Sequence, residues 1–362
     1  MKKHNPNNER IKRQYLRFLK ESKGQNEASL DAVAMAFSRF EIYTKYSDFK
    51  KFHYEQAIGF KKYLAIQTSH QTGKPISLST QKTTLRHLKT FFQWLAMQTG
   101  YKSKLNFTDS EYFNLSEKQS RIASASKSKS SPTLKQIHKV IDSMPYGSDI
   151  EKRDRALVAF ILITAARDSA VASAKLKHIN LVEGFFDQDA EEVQTKFSKT
   201  FKTYFMPVGG LALQIVEDWI HHLRTNLYWG DDDPLFPQTE IGQSDERQFM
   251  VVGLKRQNWS TANPIRKIFR VAFESAGLPY FYPHLFRNTL VKYGAEICRS
   301  PEQFKAWSQN IGHSNVLTTF TSYGEVAEDR QGELIQNMTG NKSNQESNLE
   351  ERVKAIVLNL NI

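Results

Sequence analysis

The helical spacing of apolar residues through the first hundred positions is the feature that most restricts what this chain can fold into. Four segments share it: residues 8–19, 28–43, 54–66 and 79–98. In the second segment, for example, Ala32, Met35, Ala36 and Phe40 fall at i, i+3, i+4 and i+8. That spacing places the apolar side chains on one face of an α-helix. The pattern therefore predicts an all-helical domain.

The last of these helices carries a basic row beside its apolar stripe. Lys82, Arg86 and Lys89 fall at i, i+4 and i+7, so they share a face that differs from the apolar one. A row of this kind is suited to contact a phosphate backbone, and we predict that these three residues bind DNA. The alternative is an ordinary solvated helix face.

The distribution of charge supports a polyanionic partner. Residues 1–130 carry 24 Lys and Arg against 10 Asp and Glu, a net of +14, whereas residues 131–362 carry 26 against 28, a net of −2. A basic excess confined to the first third indicates contact with a polyanion. Because the basic residues are interspersed with aromatic ones and do not flank an anchor, nucleic acid is favoured over a membrane surface.

A change of composition divides the chain. Residues 120–132, SRIASASKSKSSP, are small, polar, basic and aperiodic, as is typical of a flexible linker. We therefore place the helical DNA-binding domain at 1–118, a basic linker at 119–132 and a second domain at 133–336. Residues 337–362 are interpreted as a polar tether followed by a terminal helix.

The second domain is predicted to be mainly helical with a small antiparallel sheet. Residues 134–144 and 154–165 form helices, and the second is apolar enough to be buried. Short alternating segments within 178–208, among them 193–196 and 203–206, indicate the sheet. Helices alone are expected from Leu211 onward. The whole chain is thus predicted to be mainly α with a small antiparallel β-sheet.

Composition excludes several classes of protein. Cys298 is the single cysteine, which rules out an internal disulfide framework and a cysteine-based zinc site. No apolar run approaches the ~20 residues that span a bilayer, and the first twenty residues are polar and basic. We expect a soluble, cytoplasmic protein without a membrane partner.

Six chemically active residues follow one another along the second half of the chain. Taken singly, each has an ordinary explanation, such as a capping arginine, a chance HxxR motif or a helix start at Gly312. Their order carries more information than any one of them. They are Arg167, Lys196, His284, Arg287, His313 and Tyr323.

This order resembles that of the tyrosine recombinase family, which includes the phage-type integrases, over Thr133 to about Glu325. The resemblance implies a helical core-binding domain followed by a mixed catalytic domain. It also implies cleavage and rejoining of DNA through a 3′-phosphotyrosine, which integrates or excises a mobile element. The implied partners are double-stranded attachment sites, a homotetramer on DNA formed from free monomers or dimers, and DNA-bending proteins. No metal or nucleotide cofactor is implied.

The resemblance also assigns roles that fit the residue types. Arg167 and Arg287 are expected to clamp the non-bridging phosphate oxygens, because a guanidinium group can donate two parallel hydrogen bonds. His284 and His313 can donate to the same oxygens, and His284 can accept the tyrosine proton. Lys196 is expected to protonate the departing 5′ oxygen. Tyr323 is the expected nucleophile.

The chain departs from the family pattern at three places near these residues. The residue after Arg287 is Asn288, where histidine is frequent. Tyr323 lies ten residues after His313, where many family members have nine. Ala170 stands where a carboxylate is frequent. Asp168, which follows Arg167 directly, is therefore predicted to orient that arginine instead.

Two assignments have rivals in the sequence. Lys199 and Lys202 lie in the same predicted turn as Lys196 and are alternative general acids. Tyr282 and Tyr293 are alternative tyrosines, but they lie too close to the HxxR motif to serve as the nucleophile.

Three other functions are weighed against recombination. A type IB topoisomerase shares the chemistry and would relax supercoils as a monomer. A catalytically silent DNA-binding regulator of the same fold is disfavoured by the intact set of six residues. A helical nucleic-acid-binding module with a chance motif is the third.

The end of the chain predicts an assembly element. Leu349, Val353, Ile356, Val357 and Leu360 form one apolar stripe, and a helix of about 14 residues is marginal in water unless it docks. The resemblance implies docking on a neighbouring protomer. Docking on its own domain is the alternative.

Overall fold

The computed structural model describes residues 4–69, 73–125, 130–243, 248–313, 331–333 and 335. The chain divides into two compact units, Met1–Lys127 and Ser128–Ile362. Within the described residues, no helix is both long and apolar enough to cross a membrane.

The first unit is helical, as predicted. Its helices are α1 (Pro6–Arg17), α2 (Glu27–Tyr43), α3 (Tyr54–Ala65), α4 (Leu78–Leu95) and α5 (Glu117–Ser124). Side-chain caps explain where three of them begin, because Asn5, Asn26 and Ser77 each accept a backbone N–H of the first turn. The first four helices match the segments predicted from periodicity.

An aromatic core holds the first unit together. The ring of Phe40 lies 5.2 Å from that of Phe60 and 5.4 Å from that of Phe92, both edge-on, and all three side chains are buried. Edge-to-face contacts of this kind add about 0.5–1.5 kcal/mol each beyond the burial of their area.

Helix α5 corrects the predicted linker. Ser116 and Gln119 form a reciprocal capping box that starts this helix, which continues to Ser124. Residues 120–124 were predicted to be aperiodic linker and are helical. The capping signal outweighs the small, polar composition on which the linker prediction depended.

The second unit is built around one buried helix. Its helices are α6 (Leu134–Ser143), α7 (Asp149–Thr164), α8 (Asp168–Ser173), α9 (Ala212–His221), α10 (Asn263–Ser275), α11 (His284–Ile297) and α12 (Pro301–Asn310). Every side chain from Ala156 to Ile163 in α7 is at most 1% exposed. This burial confirms the prediction that the apolar segment forms a core helix.

A three-stranded antiparallel sheet lies where one was predicted, and the predicted segment 203–206 overlaps its third strand. Strands β1 (Ile179–Asn180), β2 (Phe185–Gln188) and β3 (Phe201–Tyr204) pair in sequence order. The strand predicted at 193–196 is wrong, since backbone bonds close turns there and Lys196–Ser198 is a short 3₁₀ helix. Strand β2 escaped detection because three of its four side chains are buried, which removes the alternation.

A second sheet was not predicted at all. Strands β4 (Gln238–Gln243) and β5 (Phe249–Lys255) form an antiparallel ribbon within the stretch where only helices were expected. Phe249 is 81% exposed and Val252 56% exposed, so neither face of β5 carries the polar residues that an alternating pattern requires.

Candidate active site

Arg167 lies where a buried helix gives way to a short one. Helix α7 ends at Thr164, its C-cap Ala165 has a left-handed φ of 51°, and Arg167 then occupies the N-cap position of α8. The side chain of Arg167 is half-buried. Burial lowers the pKa of its guanidinium from the usual value.

Arg287 joins three separate segments. It lies one turn beyond His284 on α11 and is only 3% exposed. Its Nη1 donates to the carbonyl oxygen of Ala165, and its Nη2 donates to that of Ile311 at 2.6 Å. The end of α7, helix α11 and the turn after α12 therefore meet at one guanidinium group.

The guanidinium of Arg287 is not fully satisfied by these contacts. Its Nε is buried and has no hydrogen-bond partner among the residues that the structure describes. Burial, followed by the positive charge of Arg167, lowers the pKa of Arg287 to about 9. A buried cation with an unused donor beside a second cation is a site that favours an anion.

The two histidines of the sequence motif share this electrostatic environment. Burial, then Arg287 and Arg167, lowers the pKa of His284, while the carboxylate of Asp168 acts in the opposite direction. Burial and the same two arginines lower the pKa of His313 to about 4. In the free protein both imidazoles are therefore neutral at pH 7, so each ring can accept a proton as well as donate a hydrogen bond.

His313 directly follows the turn that ends helix α12, and the residues directly after it lie outside the described part of the chain. The backbone N–H of Gly312 donates to Gln309 at 2.7 Å and that of His313 donates to Ser308 at 3.1 Å, a pairing known as the Schellman motif. Gly312 has a φ of +78°, and a Cβ there would lie 2.7 Å from the ring of Phe201. Glycine is thus required both by the turn and by the close approach of β3.

Lys196 is the lysine whose charge acts on both histidines of the motif. It is exposed on the 3₁₀ turn between β2 and β3, and its charge contributes to the lowered pKa values of both His284 and His313. Lys202 instead lies on β3 with its Nζ 4.1 Å from the centre of the Phe185 ring. These positions favour Lys196 over Lys202 as the general acid, although that role stays a prediction.

Asp168 has a partner that was not foreseen. Nε of Arg266, on α10, donates to its Oδ2 at 2.9 Å, Nη2 of the same arginine lies 2.9 Å from that oxygen as an ion pair, and its Oδ1 accepts from the backbone N–H of Ser169. The expectation that Asp168 orients Arg167 stays a prediction, since its hydrogen bonds go to Arg266 and Ser169. Arg266 belongs to no sequence motif, so its ion pair with Asp168 could not be predicted from the sequence.

The structure describes the rival tyrosines but not the predicted nucleophile. Tyr323 and the terminal helix predicted within 337–362 lie outside the described residues. Among the rivals, Tyr293 donates its hydroxyl to the carbonyl oxygen of Pro207 at 3.1 Å. The structure thus assembles Arg167, Lys196, His284, Arg287 and His313 without testing the nucleophile.

The basic row of α4 is largely engaged within its own unit. Lys82 donates to Ser124 at 2.6 Å, and Lys89 pairs with Glu111 at 2.6 Å. Arg86 is exposed. Helix α5 and the 3₁₀ segment Phe107–Phe113 pack against α4 and supply these partners, which periodicity within α4 could not reveal.

A different basic row was missed by the sequence analysis. Arg10, Arg13 and Arg17 fall at i, i+3 and i+7 of α1, so they share one face, and all three are exposed. In the described part of the chain none of them has an acidic partner within 4.0 Å. Their spacing was visible in the sequence but was not singled out.

Comparison with known proteins gives a consistent picture. The profile of the phage integrase family matches residues 132–330, which is more than half of the chain. Tyrosine recombinase XerC of Actinobacillus succinogenes is 26% identical over 186 residues, covering 51% of this chain and 52% of that protein. The chain therefore spans about half the length of the curated relatives that it matches.

Solved structures share the fold. A λ integrase dimer bound to a COC′ core site superposes with a TM-score of 0.58 at 12% identity, covering 88% of this chain and 97% of the other. The XerH recombinase bound to a palindromic difH substrate has a TM-score of 0.57 at 16% identity, covering 90% and 83%. At these identities the likeness establishes the two-domain, mainly helical architecture and nothing beyond it.

Proposed function

Because the chain belongs to the phage integrase family, we propose that it is a tyrosine-type site-specific DNA recombinase. In this proposal it cleaves and rejoins double-stranded attachment sites and so integrates or excises a mobile element, acting in the cytoplasm. The observation that carries the proposal is the buried guanidinium of Arg287, whose Nε lacks a partner in the described residues and which stands beside Arg167. The comparisons do not favour the topoisomerase alternative, since the proteins matched are recombinases and integrases.

Arg167 and Arg287 fit the charge of the reaction. A phosphodiester is a monoanion that gains negative charge on its non-bridging oxygens as phosphorus becomes five-coordinate. Of the five N–H groups of Arg287, the carbonyls of Ala165 and Ile311 take two, which leaves Nε–H and two others for those oxygens. A preorganised donor of this kind contributes roughly 3–4 kcal/mol to transition-state stabilisation.

Tyr323, His284, Lys196 and His313 are assigned to the bond exchange at phosphorus and its proton transfers. The Tyr323 oxygen forms a bond to phosphorus while the bond to the 5′ oxygen breaks. His284, neutral because of its lowered pKa, accepts the tyrosine proton, and Lys196 donates a proton to the 5′ oxygen. His313 donates to a non-bridging oxygen. The resulting 3′-phosphotyrosine retains the phosphodiester bond energy, so a 5′ hydroxyl from a partner strand can reverse the step.

The roles assigned to these residues determine whether the reaction needs a metal ion or a nucleotide. The charge on phosphate is met by guanidinium and imidazole groups, and proton transfer is met by His284 and Lys196. The proposed mechanism therefore calls for no metal ion and no nucleotide.

Covalent capture tests the proposed function. The attachment site would be identified by sequencing the DNA beside the gene, and a nicked suicide substrate carrying it would trap the phosphotyrosine. Wild-type protein should form a covalent complex, whereas Tyr323→Phe should bind the same DNA and form none. A covalent species with Tyr323→Phe would refute the nucleophile, and relaxation of supercoiled plasmid without paired sites would favour a topoisomerase.

DNA contact by the first unit is proposed to involve its exposed basic rows. Two triple-alanine variants, one at Lys82, Arg86 and Lys89 and one at Arg10, Arg13 and Arg17, remove equal charge. The slope of log K against log salt is negative, and each lost phosphate contact reduces its magnitude by about 0.9, so three lost contacts reduce it by about 2.7. Because Lys82 and Lys89 have internal partners, the α1 variant should show the larger change. Equal slopes in both variants and wild type would show that neither row contacts phosphate.

Assembly is proposed to follow the family, with a homotetramer on DNA and accessory bending proteins. In this proposal the terminal helix within 337–362 docks on a neighbouring protomer and couples its active site to that of the neighbour. Deletion of 341–362 should weaken synapsis while a monomer still binds a single site. Loss of stability in the isolated monomer would instead place the helix on its own domain.

A further inference from the structure

Asn310, the last residue of α12, is bound to the sheet as if it were an additional strand residue. Its side-chain Oδ1 accepts from the backbone N–H of Tyr204 at 2.7 Å, and its Nδ2 donates to the carbonyl oxygen of the same residue at 2.8 Å. Both hydrogen-bonding groups of one amide therefore meet both backbone groups of one residue on β3. A paired contact of this kind fixes orientation as well as distance.

A second contact joins the same two elements. Thr203 Oγ1 accepts from Gln188 Nε2 at 2.8 Å and donates to the backbone carbonyl of Asn310 at 3.2 Å. Thr203 is 1% exposed and Gln188 is 3% exposed. The carbonyls at the end of a helix lack partners within it, and here the sheet supplies one.

The three described residues that directly follow Asn310 all belong to the candidate active site. The carbonyl of Ile311 accepts from Arg287, Gly312 packs on Phe201, and His313 is held by the helix end. On the other side of the contact, β3 begins three residues after the turn Lys196–Ser198. Asn310 thus lies between the segment that carries Lys196 and the segment that carries His313.

We propose that Asn310 is a positioning residue for the cleavage step, which holds His313 and the Ile311 carbonyl in register with the strand next to Lys196. The inference rests on the proposed roles of His313 and Lys196. In this proposal Asn310 makes no direct contact with DNA, because both of its side-chain hydrogen bonds go to the backbone of Tyr204. The expected consequence of its loss is a displaced His313, and a displacement of about 1 Å can lower a rate by roughly 100-fold.

The test compares Asn310→Ala with a matched control. Asn258 also uses a side-chain amide to bind backbone, donating to the carbonyls of Ala172 and Ala174 at 3.1 and 3.0 Å in the same unit. Single-turnover cleavage on the suicide substrate should fall by roughly 100-fold in Asn310→Ala, with DNA affinity unchanged, and by much less in Asn258→Ala. A similar loss in both variants would indicate general loosening and would overturn the proposal.

A double-mutant cycle identifies the residue through which Asn310 acts. If its effect passes through His313, Asn310→Ala should cause little further loss of cleavage in a His313→Ala background. Full additivity of the two losses would contradict the proposal, and so would wild-type cleavage by Asn310→Ala.

A readout without DNA separates this inference from the proposed function. The pKa of the His313 ring, which burial lowers together with the charges of Arg287, Arg167, His284 and Lys196, can be measured by NMR titration of the free protein. Release of the ring into water in Asn310→Ala should raise its pKa toward the ordinary 6.5, whereas Asn258→Ala should leave it unchanged. An unchanged titration in Asn310→Ala would refute the positioning role. Absence of cleavage by the wild-type protein would refute only the proposed function.

Discussion

Replacement of Arg287 by lysine separates charge from geometry at the centre of the site. Arg287→Lys keeps a positive charge, but one ammonium nitrogen replaces three nitrogens spread across a plane. The ammonium cannot bind the carbonyls of Ala165 and Ile311 together and also reach phosphate from the Nε position. At least one of these contacts must therefore be lost.

The size of each effect follows from which contact is lost. A buried carbonyl left without a donor costs about 1–3 kcal/mol of folding stability. Loss of the phosphate contact costs roughly 3–4 kcal/mol in the transition state, or about 10²–10³-fold in the rate of cleavage. We expect both effects, with a larger change in cleavage than in DNA affinity.

The assays are urea unfolding of the free protein and single-turnover cleavage of the suicide substrate. Arg155→Lys is the control, because Arg155 also donates to a backbone carbonyl, that of Ile141, but lies ten residues before Ala165, about 15 Å along the helix axis. The control should lose some stability and keep its cleavage rate. Cleavage by Arg287→Lys within tenfold of wild type would refute the assignment of this guanidinium to the phosphate.

Three further predictions concern cofactors, the turn at Gly312 and pH. Cleavage should persist in excess EDTA without nucleotide, because guanidinium and imidazole groups meet the phosphate charge; loss of cleavage with intact DNA binding would contradict this. Gly312→Ala should destabilise the unit and slow cleavage, because the new Cβ would lie 2.7 Å from the Phe201 ring and the backbone φ is +78°. Thermal unfolding of Gly312→Ala that matches wild type would disprove the close approach. The pKa of His313 is lowered to about 4 from 6.5, so the unfolded chain binds its proton more readily. Stability should thus fall as pH drops from 6.5 toward 4, and His313→Gln should reduce that fall in urea unfolding across this range; an identical profile would show that His313 does not contribute.

Several elements were predictable because their determinants are local. The first four helices of the first unit follow from apolar spacing within single segments, and side-chain caps at Asn5, Asn26 and Ser77 mark the starts of three of them. The six motif residues could also be identified in order, because the types of side chain needed to bind phosphate and transfer protons are few. Where a local pattern was absent, as in β5, the prediction failed.

The sequence by itself determined which side chains are available and on which helices most of them lie. Only the tertiary structure decided that Arg287 would reach Ala165, 122 positions away, and that Asn310 would bind Tyr204, 106 positions away. It also decided that Lys82 and Lys89 would be engaged within their own unit and that Arg10, Arg13 and Arg17 would stay exposed. The physical reason is that periodicity and caps act over a few residues, whereas burial, pKa and side-chain pairing depend on which distant segments pack together.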